Sequence, residues 1–169
     1  DSYERDYLYI NQKNGKFKDE LEECMKQTSF SSMGADIGDI NNDGYAEIFT
    51  TDMLPEDDYR LKTLGAFDNV DQFRNKLNVG FYYQYMKNCM HLNNGNGTFS
   101  DIANFSGVEA TDWYWGALIF DADNDGDHDV ITSNGILMEN DGFGQLSFGP
   151  VIIPYEYINS LLIADFDGD

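Results

Sequence analysis

The chain reads as an all-β protein built of repeats, and three observations carry that reading. A block of motifs returns at a constant offset of 82 residues: Asn11, Gly15, Phe17 and Asp19 return as Asn93, Gly97, Phe99 and Asp101. At the same offset Gly34, Asp39, Asp43 and Gly44 return as Gly116, Asp121, Asp125 and Gly126. In each copy an acidic stretch joins two β-branched or aromatic runs, as a hairpin loop does. The step from Asp121 to a third acidic start at Asp165 is 44 residues, about the length of one four-stranded propeller blade.

Taken in order, Leu8 to Ile10 is a short strand that meets a turn signal at Asn14-Gly15, and Gly95 and Gly97 mark the equivalent turn in the second copy. Asp19 to Gln27 begins acidic and ends with Lys26, the charge order a helix dipole prefers. Ile48 to Thr51 leaves the first acidic loop as a strand; Ala117 to Phe120 enters the second and Val130 to Thr132 leaves it. Between them the 82-residue step is nearly twice a blade. The surplus, about residues 52–87, is either an insertion or a further blade without a metal loop. Within it Glu56–Leu64 and Val70–Leu77 each suit two helical turns, and Phe81 to Met86 returns to strand-like composition. One partial domain over residues 1–169 follows: a first repeat at about 8–51, the surplus, a second repeat at about 88–134 and a shortened third at about 135–169.

Composition narrows the function. Acids outnumber bases 31 to 10, a formal charge of −21, which argues against nucleic acid or an anionic membrane as partner. With 41% hydrophobic and 15% aromatic residues the chain has too much apolar material for a solvated tail. No apolar run approaches the ~20 residues a membrane helix needs. Cys24 and Cys89 allow one disulfide, but unpaired, partly buried thiols are the stronger expectation.

The chemistry sits in the acidic loops. The first presents Asp39, Asn41, Asp43, Tyr45 and Glu47 at alternate positions, with Gly44 at the sixth. The second presents Asp121, Asp123, Asp125, Asp127 and Asp129, with Gly126. Five carboxylates in nine residues repel strongly unless a cation sits among them; at an effective dielectric near 20, unit charges ~4 Å apart interact by ~4 kcal/mol. Alternate residues of an extended loop can turn oxygens inward, and the glycine permits the sharp turn that closes them. The variation at position seven, Tyr45 or Asp127, suits a backbone carbonyl ligand. An oxygen-only donor set without His or Cys selects a hard cation, and calcium leads over magnesium, which keeps its waters. Two complete calcium sites are expected, with a third begun by Asp165, Asp167 and Asp169. An EF-hand is excluded, because position twelve is Thr50 or Thr132 rather than Glu and a strand follows in both. The competing reading, solvated turns rich in Asp and Asn, is weakened by the recurrence of one spacing.

These loops, D-x-[DN]-x-D-G-x-x-[DE] between strands, resemble the FG-GAP or VCBS repeat of integrin-α-type β-propellers, as do the L-x-x-N and G-x-F elements upstream. D-M-L-P-E-D from Asp52 to Asp57, Y-Y-Q-Y-M from Tyr82 to Met86 and L-N-N-G-N-G-T-F from Leu92 to Phe99 resemble a narrower group. These are secreted bacterial VCBS-repeat proteins related to cartilage acidic protein and associated with ASPIC/UnbV domains. The resemblance implies part of a β-propeller, commonly seven-bladed, and hence a longer chain or larger surface assembly. It implies secretion or display at the cell surface, where plentiful calcium lets sites with Kd on the order of 10⁻⁴–10⁻³ M stay filled. It also implies a non-catalytic scaffold, adhesion or ligand-binding role toward a protein or glycan. The alternative is a carbohydrate-binding or carbohydrate-active propeller using the aromatic cluster at Trp113, Tyr114 and Trp115 and the tyrosine-rich insertion. Packing in the core between blades is the stronger expectation for that cluster. His91 and His128 have no Ser or Cys partner in a recognisable motif, so nucleophilic catalysis is unsupported. His128, at position eight, is expected to point away from the ion. Glu56, Asp57 and Asp58 after Pro55 suit a helix N-terminus better than a pair of catalytic acids.

Overall fold

Turn chemistry closes the first hairpin: β1 (Tyr9–Asn11) pairs antiparallel with β2 (Phe17–Asp19), with Gly15 between them at φ +80°. In the computed structural model, residues 4–64, 70–113, 115–132, 136–140 and 146–151 are described. A single helical turn, α1 (Leu21–Cys24), follows β2 and is shorter than its charge pattern suggests. Met25 is already extended, and packing explains why. Leu21, Cys24 and Met25 are all buried and form one cluster with Leu8, Ile48, Tyr82 and Phe99.

After β3 (Thr28–Ser29), the first four-stranded sheet has the order β4 (Ala35–Gly38), β5 (Glu47–Thr50), β7 (Cys89–Asn93), β8 (Phe99–Asp101), all neighbours antiparallel. The chain between β5 and β7 holds α2 (Asp58–Leu64), α3 (Val70–Asn78) and β6 (Gln84–Tyr85), and β6 pairs in parallel with β3. This stretch is therefore an excursion from the middle of one sheet, without a four-stranded sheet of its own among the described residues. Its neck is stapled. The Asp52 N–H donates to Asn88 Oδ1 at 2.7 Å, and Asn88 Nδ2 donates to the Val108 carbonyl at 2.8 Å and to Thr111 Oγ1 at 2.6 Å. Because β5 and β7 are neighbours, both ends of the excursion leave the sheet side by side. Of the acids after Pro55, Asp57 caps α2, its Oδ1 accepting the Arg60 N–H at 2.8 Å.

A short α4 (Ala103–Ser106) leads to the second four-stranded sheet, ordered β9 (Ala117–Phe120), β10 (Asp129–Thr132), β11 (Ile136–Asn140), β12 (Leu146–Val151). In both sheets the acidic loop joins the first two strands, and a hairpin whose first strand ends in an asparagine, Asn93 or Asn140, makes the last two. Sheet boundaries thus straddle the repeats counted along the chain: the hairpin that opens the second repeat completes the sheet that the first repeat begins. The offset of 82 residues also reveals a matched ion pair. Arg5 pairs with Asp19, and Lys87 pairs with Asp101. Asp19 also accepts the Leu8 and Leu21 N–H groups, as Asp101 does those of Met90 and Ala103.

The main core lies between the two sheets, where Phe49 and Met90 of the first meet Ile119, Val130, Met138 and Leu146 of the second. Strand alternation sends Ile48 to the opposite face, toward α1. The first strands of the two sheets approach closely. A Cβ on Gly34 would lie 2.7 Å from Gly116 Cα, and one on Gly38 would lie 2.5 Å from Ile119 Cγ2. Both thiols are free and buried, in keeping with the sequence expectation. No helix among the described residues is long and apolar enough to cross a membrane.

Candidate metal centre

The two acidic loops fold alike, because each is wired by its own side chains. In the first, Asp39 accepts the N–H groups of Asp43 (3.1 Å) and Gly44 (2.8 Å), Asn41 Oδ1 accepts that of Asp43 (3.2 Å), and Asp43 accepts that of Tyr45 (2.8 Å). In the second, Asp121 accepts from Asp125 (3.1 Å) and Gly126 (3.0 Å), Asp123 from Asp125 (3.2 Å), and Asp125 from Asp127 (2.9 Å). Two left-handed residues make the bend in each loop, Asn42 (φ +55°) with Gly44 (φ +85°) and Asn124 (φ +60°) with Gly126 (φ +95°). Asn and Gly tolerate that region best, which is why these residue types stand there.

Position nine is buried in both loops, Glu47 at 1% and Asp129 at 2% exposure. Glu47 accepts the N–H of Ile40 (2.8 Å) and of Asn93 (3.3 Å); Asp129 accepts those of Ala122 (2.9 Å) and Asn140 (2.8 Å). The asparagine that ends β7 or β11, Asn93 or Asn140, thereby clamps the loop, and its side-chain amide donates to the carbonyl at position eight, Ala46 or His128. That role was invisible in the sequence: the asparagine stands 46 residues after Glu47 but 11 after Asp129, so no shared spacing ties it to the loop it clamps.

Carboxylate oxygens of Asp121, Asp123 and Asp129 lie within 4.8 Å of one another. Oxygens on opposite sides of one calcium ion are separated by about twice 2.4 Å, so these three fit a single hard cation. In the first loop Asp39, Asn41 and Glu47 hold the equivalent positions, with an amide in place of one carboxylate. Burial, then the charges of Asp43 and Asp39, push the Glu47 carboxyl above its ordinary range, against the N–H groups that it accepts. Desolvation and the neighbouring Asp125 likewise raise Asp123. A dication among these groups would oppose both shifts. Asp165, Asp167 and Asp169, the expected start of a third loop, lie outside the described residues.

Two expectations about aromatic and basic residues resolve differently. His128 points away from its own loop, and its Nδ1 lies 2.7 Å from the Asp39 carbonyl of the other loop. The tryptophans do not pack in the core. Trp113 is 56% and Trp115 76% exposed, because Asp112 adopts φ +76° and turns the chain outward, held by the Leu54 carbonyl and by an ion pair with Arg60. Tyr114 lies outside the described residues.

A family model for the FG-GAP-like repeat matches residues 1–50 and 79–132. The chain belongs to the FG-GAP-like repeat family. The matched segments contain both acidic loops and leave out most of the excursion that carries α2 and α3, so this FG-GAP repeat protein departs from the repeat where it leaves its sheet. Comparisons with curated proteins and with solved structures returned no match.

Proposed function

We propose that this chain is a calcium-stabilised segment of an extracellular or cell-surface β-propeller whose role is non-catalytic scaffolding, adhesion or ligand binding. The observation that carries the reading is the convergence of Asp121, Asp123 and Asp129 within a loop whose hydrogen-bond wiring is repeated 82 residues earlier. Calcium would supply the positive charge that lets the carboxylates lie together, and each ion would pin one hairpin. The narrower kinship with VCBS-repeat proteins related to cartilage acidic protein rests on the D-M-L-P-E-D and Y-Y-Q-Y-M segments. Ligand recognition would then fall to a surface other than the loops.

The test is thermal melting. With sites in the range of 10⁻⁴–10⁻³ M, 5 mM calcium adds about 1–2 kcal/mol per site, or several degrees for a chain of this size. Chelator removes the gain, and Asp121→Ala removes much of it. Identical melting in calcium and chelator would defeat the reading. The exposure of Trp113 and Trp115 favours a second reading, in which the indoles stack on sugar rings. Saccharide binding that is lost in Trp115→Ala would support it, and turnover of a bound glycan would overturn the non-catalytic assignment.

A further inference from the structure

The two acidic loops touch. Asn42, at position four of the first loop, donates its side-chain amide to Asp127 Oδ1 at 2.6 Å and to the Gly126 carbonyl at 3.3 Å, both in the second loop. In return, His128 of the second loop meets the Asp39 carbonyl of the first at 2.7 Å. Asn140 joins the pair from behind, donating to the Ile40 carbonyl at 2.7 Å and to the His128 carbonyl at 2.9 Å. Position seven of the second loop is thus held by the first, and position one of the first loop is held by the second. A rearrangement at either of these positions breaks a contact with the other loop.

We infer that the two loops form one coupled calcium-binding unit, in which filling the second loop prepares the first through Asn42 and His128. The inference rests on the calcium reading above. The second loop has five carboxylates and the first has three, so the second fills first. A bound ion fixes Asp121 to Asp129 and with them the acceptors of Asn42, which sits between the first loop's ligands Asn41 and Asp43. The ordering entropy of the contact is then spent before the second ion arrives, and that ion binds more tightly. Like-charge repulsion between the ions acts the other way. It is muted because each loop stays anionic with one dication bound. Asn42 and His128 are positioning residues in this scheme; neither needs to touch the ion.

Calorimetric titration of the full-length protein with calcium tests the coupling by a double-mutant cycle. Asp121→Ala disables the second loop, and the first is expected to lose affinity by about fivefold or more, within the usual range of coupling between sites. Asn42→Gly keeps the left-handed backbone at this position and removes only the amide. In that background Asp121→Ala should leave the affinity of the first loop unchanged. Asn124→Gly, the same change at the matching position of the second loop, should leave the coupling as in the wild type. His128→Phe gives a second route to the same loss should Asn42→Gly fold poorly by circular dichroism. Coupling that survives both variants, or a rise in first-loop affinity when the second is disabled, as through-space repulsion predicts, overturns the inference and spares the calcium reading. Absence of any calcium binding in the wild type overturns both.

Discussion

Asp52→Ala will destabilise the protein by on the order of 4 kcal/mol, the largest effect expected of any single substitution outside the main core. Asp52 is fully buried, and one of its oxygens accepts from Ser29 Oγ (2.7 Å), the Phe30 N–H (2.8 Å) and the Ser31 N–H (3.0 Å). The other accepts the Met53 N–H at 2.6 Å. These four donors take the place of a counter-ion. Truncation leaves the buried Ser29 and Ser31 donors and the part-buried Phe30 and Met53 N–H groups without this acceptor, at roughly 1–3 kcal/mol for each that water does not reach. The damage should centre on the neck of the excursion, because the same residue's N–H donates to Asn88. Urea unfolding checks it, with Asp52→Asn as the partner variant. Asparagine keeps one acceptor oxygen and should lose clearly less. A loss under 1 kcal/mol for alanine would show that the network is not what holds β3 to the end of β5.

Acid will weaken the fold between pH 6.5 and 4, and His91 will account for about 3 kcal/mol of that loss. His91 stands on β7 opposite Ile48 and Asp101 and is 3% exposed. Burial pushes its imidazole down to about 4; Asp101 acts the other way, and Lys87 adds to the fall. The unfolded chain takes up this proton near pH 6.5, while the folded chain resists until about 4. Above pH 6.5 both states are neutral at this residue and it contributes nothing to the slope. Below it the unfolded state binds more protons, so stability falls with pH by up to about 1.4 kcal/mol per unit. Glu47 and Asp123, whose pKa values are raised, work in the opposite direction, and Asp101, held low by Lys87, the Ala103 N–H and Gln27 against its burial, adds its own loss only at still lower pH. Chemical unfolding in chelator at a series of pH values, with His91→Leu beside the wild type, separates these contributions. Equal slopes for the two proteins from pH 6.5 to 4 would refute the assignment.

The buried state of His91 and the role of Asp52 could not be read along the chain. Histidine on a strand is compatible with either face, and only the register that sets it between Ile48 and Asp101 buries it. In the sequence Asp52 marked only the start of the surplus at about residues 52–87. Its partners at Ser29, Phe30 and Ser31 come within reach only because β3 is drawn beside the end of β5. The tryptophans failed as core candidates for a similar reason: apolar character favours burial, but the left-handed turn at Asp112 sends Trp113 and Trp115 outward.

What the sequence alone determined is what nine neighbouring residues can settle. The alternation of oxygens, the glycine at position six and the flanking strands specify each acidic loop locally, since the hydrogen bonds within a loop span no more than seven residues. The repetition of that unit made the all-β repeat class legible. Tertiary structure alone decided how the units join: which hairpin completes which sheet, where the excursion leaves, and that Asn42 meets Asp127 from 85 residues away. Local spacing encodes a turn, whereas contact between two turns depends on how their sheets stack, and the close approach of Gly34 to Gly116 sets that stacking.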